Sequence, residues 1–517
     1  MSTPAAAALT AAPASISISL VSHTNAGKTT LARTLLSRDV GEVRDAPHVT
    51  EFASEHLLLQ ADDGTELRLW DTPGFGDSVR LARRMRGQGS PVGWFLSEVW
   101  DRWRDRPFWA TQQALRHVRE RADVVLYLVN AAESPEAASY VEPEMELLGW
   151  VGKPVIVLLN QLGAPRAAAE EAAEVEHWRA HLAAHGRIGS VLPMDAFARC
   201  WVQELTLLRA IEDALDPALR PVMARLRAAW AAQRLATFDA ATDLLAASLG
   251  RIAAARETVA DAPGLRERLR RFGSRLAPLV GAKAGDDDAS ALAQQALAAS
   301  LDAEVRASTA ELIALHGIEG RAQGEILSRV ATHFETRGRL DETKAGVFGG
   351  MLTGALAGLK ADIATGGLTL GGGLLAGGLL GALGGAGIAR GINELRGGGP
   401  ASVSWSAEAM EPMVEAALLH YLSVAHFGRG RGEWSQGESP AHWREVVAGA
   451  LAPRREALSE LWRSRSAGGD PAGEAERIAA VLRPSISAAT RDTLERLYPG
   501  TWPDAASPAA ARAESQP

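Results

Sequence analysis

Cysteine occurs once in the 517 residues, at Cys200. A single thiol cannot close an intramolecular disulfide, so the fold must hold without one and a cytoplasmic setting is expected. Positive charge is in deficit as well. Lysine and arginine total 54 against 62 acids, a net charge of −8, so no nucleic-acid partner is expected. Residues 1–14 are alanine-rich and carry no basic side chain. They lack the basic region that precedes the apolar core of a secretory signal, and are read as a disordered lead-in. The length suits two or three domains with sizeable cores.

What the chain has is one informative stretch near its start, Ile16 to Thr30. Ile16, Ile18 and Leu20 alternate as in a buried strand. Ser22 to Gly27 is a turn of small residues, and Lys28 to Leu36 reads as a helix. Strand, tight loop and helix together make a phosphate cradle, because loop N–H groups and the helix dipole converge on an anion. Ser22 holds the first position of the GxxxxGK[ST] pattern, where glycine is usual. Ser22, Asn25, Ala26, Gly27, Lys28, Thr29 and Thr30 are the candidate nucleotide contacts. Lys28 supplies charge to the β and γ phosphates, and the Thr29 hydroxyl is placed to ligate Mg2+. About 40 residues on, a strand from Glu66 to Trp70 runs into Asp71, Thr72, Pro73 and Gly74. An aspartate at a strand tip can hold Mg2+ through water while the Gly74 N–H meets the γ-phosphate. Between the two motifs lies a polar loop, Gly41 to Thr50, where a nucleotide-sensing switch would sit. Thr50 is either its metal-capping residue or an ordinary loop threonine.

These motifs resemble the Era/TrmE-like translation-factor GTPases. Asn160-Gln-Leu-Gly163, Asp195-Ala196-Phe197, Arg199 to Trp201 and a glycine-rich region near 350–390 are similar to a bacterial subfamily in which such a domain is fused to a long C-terminal domain of unknown function. The resemblance implies GTP and GDP as ligands. It implies Lys28, Thr50, Asp71 and Gly74 as the catalytic set, and Thr29, Thr50 and Asp71 around Mg2+. It also implies Asn25 as a ligand to K+. Phe75 stands where Ras-like members keep a catalytic glutamine, so backbone groups and a monovalent cation are the implied substitutes. Glu51 replaces the usual arginine after the switch threonine. Asn160 keeps its place in the base-reading NKxD motif, but Gln161 and Gly163 replace its lysine and aspartate. Asp195 and Ala196 stand where Ser-Ala is usual, and Asp195 could bring a carboxylate to the base.

Val124 to Asn130 and Pro154 to Asn160 are continuous apolar runs, as in strands buried on both faces. His56 to Gln60 and Val191 to Met194 are further strands. Helices are expected at Glu136 to Leu148 and Arg166 to His185. Alternation of strands and helices predicts an α/β fold, a P-loop G domain with a mostly parallel, doubly wound sheet over residues 15–215. Residues 78–121 hold ten arginines, four acids and Trp94, Trp100, Trp103 and Trp109. They read either as a basic-aromatic interface or as helices of an insertion packed on the switch side.

Past Leu215 the composition turns to alanine, arginine, leucine and glutamate, and Leu226, Trp230, Phe238, Leu245, Leu249 and Ile252 recur at helical spacing. An all-α C-terminal region is expected over 216–344 and 393–502. It includes helices at Leu265 to Leu276, Ala289 to Leu315, Ala407 to Phe427 and His442 to Leu461. Loops are expected at Gly428 to Pro440 and Ser466 to Gly473, and a disordered tail at 503–517. Between the helical parts, residues 345–392 carry glycine every fourth residue from Gly346 to Gly358 and from Gly373 to Gly385. Ile363 to Ala389 has no charge over 27 residues. That pattern fits a helical hairpin at a membrane surface, peripheral at the inner membrane, and fits equally a soluble, tightly apposed hairpin or a flexible linker. The expected function is a GTP-hydrolysing switch coupled to this region and to a protein partner of unknown identity. The alternative is a nucleotide-gated or degenerate scaffold without turnover.

Overall fold

The computed structural model describes residues 14–36, 53–86, 91–97, 103, 105–163, 166, 168–185, 188–196, 200–258, 288–317, 392–395, 402–426, 441–465 and 470–503. Thr50, Glu51, the expected helix at 265–276 and residues 345–391 of the glycine hairpin lie outside them. The chain forms two compact units: residues 1–234 with 428–433 and 501–517, and residues 235–427 with 434–500.

The first unit is built on a six-stranded sheet. Its strands are β1 (Ser15–Ser22), β2 (Ser54–Gln60), β3 (Glu66–Asp71), β4 (Val124–Asn130), β5 (Val155–Asn160) and β6 (Ile188–Pro193), in the order β2-β3-β1-β4-β5-β6. All pairs are parallel except β2 with β3. β4 and β5 are buried along almost their whole length, as uninterrupted Val, Ile and Leu runs require when helices cover both faces. The helices are α1 (Lys28–Leu36), α2 (Ser78–Met85), α3 (Pro91–Ser97), α4 (Arg106–Arg121), α5 (Val141–Val151), α6 (Ala168–Leu182) and α7 (Trp201–Ala214). α2 and α4 contribute Leu81, Met85, Phe108, Leu115 and Val118 to the core shared with Val21, Phe75, Tyr127 and Met145. The described parts of the 78–121 segment are therefore helical, and α2 and α4 pack into the core of the sheet. Some of its arginines lie over rings, Arg80 on Phe108 at 4.1 Å and Arg84 on Trp94 at 5.7 Å.

One helix starts later than its composition suggests. α5 begins at Val141 and not at Glu136, because the Ser139 N–H bonds the Ala137 carbonyl and the Val141 N–H the Ala138 carbonyl, turn bonds that replace the i to i+4 ladder over 137–141.

α8 (Arg220–Ala254) is 35 residues long and contributes to both units. The second unit adds α9 (Asp288–Leu315), α10 (Ala407–Ala425), α11 (Ala441–Leu451), α12 (Arg455–Arg463) and α13 (Pro471–Leu497). It is largely helical, with one addition the sequence did not disclose. β7 (Arg256–Thr258), β8 (Ile392–Leu395) and β9 (Ser402–Trp405) form a small antiparallel sheet in the order β7-β9-β8. The expected helix from His442 to Leu461 is two helices joined by a short 3-10 turn, Ala452–Arg454, which contains Pro453. The expected loop at 466–473 ends early: Asp470 caps the Ala472 and Gly473 N–H groups at 3.2 and 3.0 Å, and α13 starts at Pro471.

Candidate functional site

Parallel strands leave their carboxyl ends on one edge, and the candidate residues collect there. β1 ends at Ser22, β3 at Asp71 and β5 at Asn160, and β6 leads into Asp195 and Ala196. The Ser22 hydroxyl accepts from Lys28 Nζ at 3.1 Å and donates to the His23 carbonyl. Serine in place of glycine thus gives the buried lysine a polar partner. Thr29 donates its hydroxyl to Asp71 Oδ2 at 2.6 Å. Burial lowers the Lys28 pKa and raises that of Asp71, while the opposite charges of the pair, with Glu144 beside Lys28, work against both shifts.

The loop needs two residues in the left-handed region. Asn25 has φ 66° and an exposed side chain, and Gly27 has φ 90°. At Gly27 a Cβ would lie 2.5 Å from Asn160 Nδ2. Asn160 is fully buried. Its Nδ2 donates to the Ala26 carbonyl at 2.8 Å and its Oδ1 accepts the Ala196 N–H at 2.9 Å. One side chain therefore ties the phosphate loop to the loop after β6. Thr34 adds a second tie, its hydroxyl on the Ala196 carbonyl at 2.8 Å. Asp195 Oδ2 accepts the Leu162 N–H at 2.7 Å, and nothing lies within 4 Å of where a Cβ on Gly163 would stand. Ala26 and Thr30 are buried behind the loop.

Gly74 lies against the loop. A Cβ there would be 3.0 Å from Thr24 Cα and 3.2 Å from Lys28 Nζ. Phe75 follows, and its backbone bridges His23: its N–H donates to Ser22 O at 2.9 Å, and its carbonyl accepts from Thr24 N–H at 3.3 Å and Thr24 Oγ1 at 2.8 Å. The Phe75 ring is fully buried in the core. A phenyl ring in the core has no donor or acceptor with which to orient a water.

Behind this arm lies a group that the motif reading missed. Glu144 on α5 is fully buried. It accepts from His23 Nδ1–H on Oε1 and from the Tyr127 hydroxyl on Oε2, both at 2.7 Å. Burial raises its pKa, partly offset by His23. The signal in the sequence was a carboxylate on the apolar face formed by Val141, Met145 and Leu148.

A divalent cation fits this donor set. Asp71 is buried with Oδ1 unpartnered, beside a threonine hydroxyl, which is a hard oxygen pair that a small cation would satisfy.

Residues 17–161 match the family described as 50S ribosome-binding GTPase, and residues 340–479 match a family described as Domain of unknown function (DUF3482). GTPase Der of Deinococcus deserti is 29% identical over 154 residues, covering 29% of this chain and 27% of Der. A crystal structure of Aquifex aeolicus Era bound to GDP.AlF4- is 18% identical, covering 39% of this chain and 57% of that one, with a TM-score of 0.30. A structure of Era with MgGDPNP and a 16S ribosomal RNA segment is also 18% identical, covering 40% and 58%, with a TM-score of 0.30. Each match spans under two thirds of the relative's length, and the fold assignment rests on the strand order above. GTPases of this family generally use Mg2+. The chain joins an N-terminal domain of the P-loop GTPase family to a separate C-terminal domain of unknown function.

Proposed function

We propose that the N-terminal domain binds and hydrolyses GTP as a switch, with Ser22, Asn25, Ala26, Gly27, Lys28, Thr29, Thr30, Thr50, Asp71, Gly74, Asn160, Asp195 and Ala196 as its site. The observation that carries this reading is the hydrogen-bonded set at the strand ends, Ser22–Lys28, Thr29–Asp71 and Ala26–Asn160–Ala196. Lys28 and the loop N–H groups stabilise charge on the transferred phosphoryl group. Thr29 and Asp71, with Thr50, would hold Mg2+, which when bound neutralises phosphate charge. Asn25 is the ligand proposed for K+; its exposed carboxamide on a left-handed residue supports this. Guanine is read less strictly than where an aspartate follows Asn160 by three residues, because Gly163 offers no side-chain carboxylate and one oxygen of Asp195 is engaged by Leu162. The C-terminal half, through residues 345–392, couples the switch to a membrane surface or a protein partner. Among the described residues no helix is long and apolar enough to cross a membrane.

Phosphate release from GTP tests the hydrolase reading. Wild type should release phosphate and Lys28→Ala should neither bind nor turn over. Tight GTP binding without release would favour a nucleotide-gated scaffold. Competition between GTP and ATP tests the base reading. Strict guanine selectivity would mean that another group does what a motif aspartate does elsewhere, with Asp195 the first to test.

A further inference from the structure

We propose that Glu144 is a positioning residue for the phosphoryl chemistry: by fixing the His23 ring it sets how the phosphate loop carries the Gly74–Phe75 arm. The proposal rests on the hydrolase reading and deepens it.

A carboxylate buried in an apolar core is costly unless its oxygens are bonded, and an apolar residue of similar volume would pack there at lower cost. Glu144 is bonded on both oxygens, and one of its partners belongs to the phosphate loop. The His23 ring is held from a second side by Tyr140, stacked at 4.6 Å between centroids, whose hydroxyl accepts the Asn130 N–H at 3.3 Å. α5 and the turn before it thus meet the imidazole directly, and β4 braces both contacts, Tyr127 through Glu144 and Asn130 through Tyr140.

The backbone of the same residue is a junction. The His23 carbonyl accepts the Ser22 hydroxyl and, at 3.4 Å, the Ala26 N–H. Its strand bridge to Phe75 is flanked by the bonds from Phe75 to Ser22 and from Thr24 to Phe75. Releasing the ring therefore loosens the arm that presents the Gly74 N–H, while the rest of the loop keeps its ties through Asn160 to Ala26 and Lys28 to Ser22. The γ-phosphate contact depends on that arm, whereas the contacts to a diphosphate depend on the loop and Lys28. Misplacement of a reacting group by about 1 Å can cost on the order of 100-fold in rate.

Glutamine at position 144 keeps the shape but cannot accept from both donors without turning its own N–H2 toward one of them. With the full-length protein, Glu144→Gln should lower the single-turnover rate of GTP hydrolysis by roughly 10-fold or more while GDP affinity stays within about threefold. In a His23→Ala background the same substitution should cause no further loss, since its effect passes through the ring. Additive losses, or equal losses of rate and GDP affinity, would make Glu144 a core brace and overturn the proposal. Should Glu144→Gln not fold, His23→Gln reads the link from the loop side: loss of rate with GDP affinity retained supports it, and an unchanged rate overturns it. Wild type that releases no phosphate removes the hydrolase reading and this proposal together. Activity lost in Lys28→Ala yet intact in Glu144→Gln removes this proposal alone.

Discussion

Removing the Asn160 side chain tests whether the tie between the phosphate loop and the loop after β6 matters to binding. Asn160→Ala leaves the Ala26 carbonyl and the Ala196 N–H facing a void in a region where Asn160 itself has no exposure. A buried polar group that loses its partner costs about 1–3 kcal/mol, so the two together cost about 2–6 kcal/mol. Both lie on the frame of the nucleotide site. If half of the cost falls on binding, about 1–3 kcal/mol, GDP affinity drops roughly 5- to 150-fold. Titration calorimetry reads the affinity, and thermal unfolding of the free protein reads the remainder. Asn160→Asp separates donor from acceptor. It keeps an oxygen for the Ala196 N–H but sets another against the Ala26 carbonyl, so its affinity should fall at least as far. GDP binding by Asn160→Ala within twofold of wild type would refute the reasoning, because the loops would then hold their places unaided.

Gly27→Ala should abolish detectable GDP binding in the same titration, since φ 90° disfavours any side chain and the new Cβ would lie 2.5 Å from Asn160 Nδ2. Hydrolysis should run faster in potassium than in sodium at fixed Mg2+, and Asn25→Ala should erase the difference; equal wild-type rates in both salts count against a cation at Asn25. Burial holds the His426 pKa down at about 4, against an ordinary 6.5, with Nδ1–H on the Leu422 carbonyl and the Tyr498 hydroxyl on Nε2. The neutral ring is thus favoured by folding, so its stability contribution is complete above pH 6.5 and is lost as pH falls toward 4, about 3 kcal/mol in all. His117, also lowered to about 4, acts with the same sign, so the check is a urea midpoint that drops less between pH 7 and 5 in His426→Gln than in wild type. Full-length protein should float with liposomes, and a variant with aspartate at Gly350, Gly354, Gly377 and Gly381 should not; wild type left in the soluble fraction with and without nucleotide ends the membrane reading.

The parts of the fold that were legible are those whose signal is local. β4 and β5 announce themselves as unbroken apolar runs, and α1 as a helix opening on Gly27-Lys28-Thr29. The start of α5 was not legible, because turn bonds at Ser139 and Val141 interrupt the helix ladder, a choice made by a few bonds and not by composition. The β7-β9-β8 sheet left no trace, since strands of three or four residues carry little pattern and their pairing joins Arg256 to Ser404 across much of the chain. In the candidate site, the motif residues that gather at the strand ends were picked out by type and spacing, which phosphate chemistry constrains. Glu144 was not, since its partner His23 is 121 positions away and only the fold brings them together.

The burial of Phe75 has a consequence for time. A switch whose residue after Gly74 has no group to orient water holds its bound triphosphate longer, unless another group does that work. Under the proposed reading the duration of the active state is then not written into this position. It is delegated to whatever delivers the missing group, whether a cation or a donor from another chain. Such a protein would act as a clock wound by nucleotide and stopped from outside.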